Sequence, residues 1–171
     1  MKKLSDIGTQ ALNWIQPKPF WREYQLLAGS ELVATLRWES VLGSLVSIQT
    51  ADGKWLIRRS GFLWRRLIVH REGDSGDDAT FKFRWFRGGV LECPGGGIYR
   101  WRRTKFWRPE WAFASASDFP VVRLKLIRVF LKSAGEIELA ENASLHRTEV
   151  PLLIVIGWYL VLVFQRKNRR R

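Results

Sequence analysis

Residues 150–164 read VPLLIVIGWYLVLVF, an unbroken apolar run with Arg147, Thr148 and Glu149 before it and Gln165 and the basic stretch RKNRRR after it. Thr148 is placed to cap a helix, and Glu149 and Pro151 suit its first turn, where the N–H that proline lacks would go unpaired anyway. The run predicts a helix over about 149–165, although Ile154, Val155, Ile156, Val161 and Val163 also suit a strand. Fifteen residues at about 1.5 Å each reach about 22 Å, short of the roughly 30 Å of hydrocarbon in a bilayer. A tail anchor would also carry Arg166, Lys167, Arg169, Arg170 and Arg171 across, against the preference of basic residues for the cytoplasmic side. A helix apolar on every side must be buried on every side. The rest of the chain has to supply the container.

From Phe20 to about Glu141 the apolar period is two. Leu32, Ala34, Leu36 and Trp38 alternate with Val33, Thr35, Arg37 and Glu39; Phe81, Phe83 and Trp85 alternate with Lys82, Arg84 and Phe86; Val122, Leu124 and Leu126 alternate with Arg123 and Lys125. Turn signals separate these runs at Gly29-Ser30, Asp52-Gly53, Ser60-Gly61, Gly73 to Asp78, Gly88-Gly89 and Pro94 to Gly97. The expected strands lie near 22–28, 31–39, 44–50, 54–59, 62–71, 79–87, 89–93, 97–103, 110–116, 121–131 and 136–141. No crossover helix interrupts them, which excludes a doubly wound α/β fold and leaves a sandwich or a barrel. A closed ring of this size has a lumen wider than its own side chains fill, and the apolar helix supplies the missing volume. The fold expected is mainly β: a closed antiparallel barrel of about 10–12 strands enclosing a hydrophobic C-terminal helix, with Leu152, Leu153, Ile156, Trp158, Leu160 and Val163 in the core. Leu4, Ile7, Ala11, Trp14 and Ile15 recur at helical spacing and predict a short amphipathic helix within residues 1–19, ahead of a barrel over 20–165 and a basic tail at 166–171.

The chain has 171 residues and 20.0 kDa, with 46% hydrophobic and 26% charged residues, which suits one globular domain. Its 29 Lys and Arg outnumber 16 Asp and Glu, and the net charge of +13 attracts anionic partners. Cys93 is the one cysteine, so a disulfide framework is excluded, and with His70 and His146 as the two histidines imidazole-rich metal chemistry is disfavoured. The opening MKKLSDIGTQ lacks the apolar run of a signal peptide, so the expected location is cytoplasmic, at the inner membrane face where the protein is peripheral.

Two stretches carry a family likeness. PLLIVIGWYLVLVFQRK, with a small residue between two bulky apolar blocks and a polar end, resembles the terminal helix of scramblase-type members of the tubby-like superfamily. VVRLKLIRVFLKSAGEIELAEN resembles the paired strands before it. That superfamily joins the tubby C-terminal domain, phospholipid scramblases and LURP-one-related proteins, and the likeness covers about 20–165. It implies a twelve-stranded barrel around a C-terminal helix and a lipid-associated binding module. It departs from the scramblase pattern in ENASLHRTEV, where Glu141, Asn142 and Glu149 replace an acidic calcium-binding stretch, so calcium dependence does not carry over.

The densest cationic cluster is Arg100, Arg102, Arg103, Lys105 and Arg108, interleaved with Tyr99, Trp101, Phe106 and Trp107. On a strand Arg100 and Arg102 share one face and Tyr99, Trp101 and Arg103 the other. Guanidinium forks suit phosphate oxygens and aromatic tips suit the headgroup zone. The expected lipid or anion site is therefore Arg100, Arg102, Arg103, Lys105, Arg108, Trp101 and Trp107. The same residues also describe a solvated wall whose arginines cover aromatic rings. Arg58, Arg59, Arg65 and Arg66 repeat the theme. Asp74, Asp77 and Asp78 in GDSGDD read as a polar turn, Gly95 to Gly97 as a hairpin turn, and neither Ser60 nor Cys93 stands in a nucleophile motif. No catalytic residue, metal or cofactor is assigned. The expected function is a non-catalytic module for anionic phospholipid or a membrane surface. The alternatives are a structural domain with an acidic protein partner and a scramblase-like membrane protein anchored by its terminal segment; nucleic acid is the weaker partner.

Overall fold

The structure is a computed structural model that describes residues 1, 3–7, 10–40, 45–61, 63, 65–76, 78–84, 88–129 and 131–169. Twelve strands follow one another: β1 (Leu12–Ile15), β2 (Glu23–Ala28), β3 (Glu31–Trp38), β4 (Leu45–Thr50), β5 (Gly53–Ser60), β6 (Arg66–Arg71), β7 (Ala79–Phe83), β8 (Gly89–Glu92), β9 (Ile98–Lys105), β10 (Glu110–Ala114), β11 (Pro120–Val129) and β12 (Lys132–Leu139). Each pairs antiparallel with its neighbours in sequence, and β1 pairs with β12 to close the ring. Helix α1 (Val150–Arg169) follows a 3-10 turn at Glu141–His146. Trp85, Phe86, Asp77, Arg170 and Arg171, on which several expectations rest, lie outside the described residues, as do the side chains of Lys167 and Arg169.

The alternation of the strands directs every second side chain inward, where it meets α1 from all around the ring. Trp158 stacks on Trp14 of β1 and meets Tyr24 of β2 edge-on; Tyr159 stacks on Trp38 of β3; Phe164 meets Phe83 of β7 edge-on. Arg59 Nε of β5 donates to the Tyr159 hydroxyl at 3.1 Å. Leu152, Leu153, Ile156, Trp158, Leu160 and Val163 are all buried. The helix is the central rod of the core, and its all-round apolarity is matched by a wall on every side.

Two glycines mark where the rod and wall touch. A Cβ at residue 135 in β12 would fall 2.2 Å from Cζ3 of Trp158, and one at residue 157 in α1 would fall 2.8 Å from Cδ1 of Leu124. The sequence expectation of a break between strands at 132–135 is corrected by the same contact. Gly135 lies inside β12 because the indole occupies the space a side chain would fill, and the turn is the tighter one between Val129 and Lys132.

The amino-terminal helix is also corrected. A single 3-10 turn stands at Leu4–Asp6, and residues 12–15 form β1, with Leu12 and Trp14 buried inside the ring. The barrel therefore starts inside the segment assigned to residues 1–19. A four-residue strand shows only two inward positions, too few for a period of two to stand out against a helical spacing. Strands expected at 62–71 and 79–87 are shorter, as β6 and β7.

Candidate functional site

In an antiparallel meander alternate connections share an end. The connections after β1, β3, β5, β7, β9 and β11 lie where the carboxyl end of α1 emerges, with Arg166 over the Trp38 ring at 4.5 Å from its centroid. Desolvation there lowers the pKa of Arg166, and Arg22 and Arg59 act in the same direction. The connections after β2, β4, β6, β8 and β10 lie at the other end with the amino end of α1. The two ends differ in character. Exposed Lys18, Arg22, Arg65, Arg84, Arg108 and Lys132 stand at or beside the first, with Glu39 among them, while at the second exposed Asp6, Glu31, Asp52, Glu72, Asp74, Asp78, Asp118 and Glu141 outnumber Lys3, Arg71 and Arg147.

The predicted cluster lies on β9 and its hairpin with β10, and the structure divides it. Tyr99 and Trp101 point into the barrel and are 2% exposed. Trp101 is thus a core residue beside Phe113, and its assignment to a contact surface is corrected: the inward parity of β9 that buries Tyr99 also buries Trp101. Arg100 and Arg102 are exposed on the outer wall, and Arg102 turns toward the acidic end, where Nη1 donates to Asp118 Oδ2 at 2.9 Å. Arg103 follows the inward parity, but β9 runs past the rim there. Its guanidinium sits over Trp111, and Nε donates to the Arg108 carbonyl at 3.2 Å. Lys105 Nζ is 3.9 Å from buried Glu110. Phe106 and Trp107 form the tip, 90% and 78% exposed, with Arg108 exposed beside them. The site that results is a hairpin tip: Arg103, Lys105, Phe106, Trp107 and Arg108.

Three further tips at the same end escape a residue-by-residue reading. Phe20 and Trp21 between β1 and β2 are 82% and 49% exposed, Leu63 between β5 and β6 is 63% exposed, and Leu131 between β11 and β12 is 58% exposed. Lys18 Nζ lies over the Trp21 ring, and Lys132 Nζ donates to the Pro17 carbonyl at 3.0 Å, joining neighbouring connections. The signal available was parity: counting alternate turns along the meander sorts the polar, glycine-bearing turns largely to one end and these apolar tips to the other.

At the acidic end Tyr99 Oη and His146 Nδ1 are 2.8 Å apart beside Glu149, in a groove of about 1060 Å³. Burial, reinforced by Glu149, pushes the Cys93 thiol up to about 12, which leaves it protonated and poorly nucleophilic. Burial likewise raises the Tyr99 phenol. In the GDSGDD loop Gly76 N donates to Asp74 Oδ1 at 3.0 Å and His70 pairs with Asp78, the bonding of a polar turn. Among the described residues no group of three or more His, Cys, Asp or Glu could hold a metal ion, and no helix is long and apolar enough to cross a membrane. No family model matches the chain, and comparison with curated proteins and with solved structures returned no match.

Proposed function

We propose that the protein is a non-catalytic module that binds anionic phospholipid at a membrane surface through the tip of the β9–β10 hairpin. The observation that carries this reading is the exposure of Phe106 and Trp107, 90% and 78%, with Arg103, Lys105 and Arg108 on the same hairpin. Burying such rings in the fold would contribute about 1.5–3 kcal/mol each, so leaving two adjacent ones in water has no folding rationale. At a headgroup layer the rings enter the interface and the cations meet phosphate, each basic residue adding about 1 kcal/mol near an anionic surface. The net charge of +13 supports the same direction of attraction. The reading also accords with what the resemblance to the tubby-like superfamily implies, and it makes the protein peripheral at the inner face of the membrane.

Co-sedimentation with phosphatidylcholine vesicles, with and without phosphatidylserine, tests it. Binding is expected with phosphatidylserine at low salt, weakening as salt rises, and the double variant Phe106→Ser with Trp107→Ser loses most of it. A wild-type protein that stays in the supernatant with phosphatidylserine at low salt overturns the reading.

A further inference from the structure

The proposal that the β9–β10 tip binds anionic lipid leaves open how the barrel stands on the surface, and the geometry points to an upright one. We propose that the barrel docks end-on, its axis along the bilayer normal, on three apolar tips: Phe20/Trp21, Leu63 and Phe106/Trp107. This rests on the reading above and extends it from one hairpin to one whole end of the molecule.

Spacing is the first ground. The three tips follow β1, β5 and β9, four strands apart in a ring of twelve, and the fourth apolar tip of this end, Leu131 after β11, stands between two of them. A flat bilayer that meets tips spread around the whole rim lies across the end of the barrel and not along its wall.

Backbone strain is the second. Phe20 and Leu63 have φ of 64° and 58°; with Asp118 they are the non-glycine residues in the left-handed region among those described. That region disfavours bulky side chains, and neither residue gains burial from adopting it, being 82% and 63% exposed. Glycine would serve the fold better at both places. An apolar side chain held outward against its backbone preference makes sense where something outside the fold receives it.

Charge is the third. Lys18, Arg65 and Arg108 accompany the three tips, and at the opposite end exposed carboxylates outnumber exposed cations. An anionic surface attracts the first end and repels the second, so the dipole of the molecule orients it before contact. The occupant that matches an apolar, cationic, planar contact is the anionic bilayer itself.

The test sets stability against binding in the full chain. Phe20→Gly and Leu63→Gly are each expected to raise the melting temperature, because the strain is relieved. Each is also expected to weaken binding to phosphatidylserine-containing vesicles about tenfold, the loss when about half of a large apolar side chain's transfer free energy disappears. Ile98→Ser, Phe119→Ser and Leu145→Ser remove exposed apolar residues from the opposite end and should leave binding unchanged. If both glycine variants bind like wild type while the Phe106→Ser/Trp107→Ser variant does not, the upright geometry is overturned and the hairpin reading stands. Equal losses from the opposite-end variants overturn the orientation. If wild type itself ignores these vesicles, the hairpin reading falls and the geometry with it.

Discussion

The indole of Trp158 lies parallel to that of Trp14, with 4° between their planes and 5.9 Å between their centroids, on a stretch of β12 that Gly135 leaves bare. A methyl group at residue 135 cannot be accommodated by moving a flexible chain end, because the atom it meets belongs to a ring fixed between Trp14 and Tyr24. Gly135→Ala should therefore destabilise the fold by about 1–3 kcal/mol, the usual cost of overpacking. Urea unfolding measures it, and near-ultraviolet circular dichroism should report the displaced indole. A variant as stable as wild type would mean that the stack can slide.

Ending the chain after Glu149 should abolish cooperative unfolding. Each buried Leu, Ile or Val of α1 contributes about 1.5–3 kcal/mol, and a handful of them equals the whole stability of a domain, about 5–15 kcal/mol. The wall without its rod should bind a hydrophobic dye and give a broad urea transition. A sharp transition would contradict the central role of the helix. Within the full chain, Leu153→Ala and Ile156→Ala, both fully buried, should each cost about 2–5 kcal/mol.

Alkaline pH should weaken the fold. The thiol of Cys93 is raised from its ordinary 9.0 to about 12, so between those values the unfolded chain releases a proton that the folded chain keeps. The stabilisation is fully present below pH 9 and is lost as pH rises through that window; Tyr99, raised by burial, acts with the same sign. Cys93→Ala should flatten the decline of unfolding free energy with pH. An identical slope in the variant would show that Cys93 contributes none of it. A thiol reagent should react with the native protein much more slowly than with the unfolded one.

Arginines of the same hairpin should separate by function. Arg108 stands at the hairpin tip, whereas Arg102 leans along the wall to Asp118. Arg108→Ala should weaken binding to phosphatidylserine vesicles about fivefold, the equivalent of about 1 kcal/mol, and reduce its salt dependence. Arg102→Ala should leave binding unchanged and cost under about 1 kcal/mol of stability, as exposed ion pairs do. Equal losses would mean that the wall meets the lipid as much as the tip does.

Much of this fold is written in short-range pattern. The run at 150–164 announces a helix that must be enclosed, and the alternation in β3, β7 and β11 announces the enclosure, because both periods follow from which side chains face the core. What the pattern hides is long-range. The place of β1 depends on its pairing with β12, more than a hundred residues away, and Gly135 looks like a turn residue until Trp158 is set against it. The site shows the same division. Arg103, Lys105, Trp107 and Arg108 stand out as one basic, aromatic cluster. Trp101 belongs to that cluster by proximity in sequence and to the lumen by parity. Phe20 and Leu63 share an end with them only through the topology of the ring.

The position of α1 after every strand has a consequence for biosynthesis. Translation delivers the staves of the cask before its filling, so the nascent chain holds a half-lined, sticky trough until the twenty residues of α1 have cleared the ribosome. That interval is when this protein most needs a chaperone's shelter.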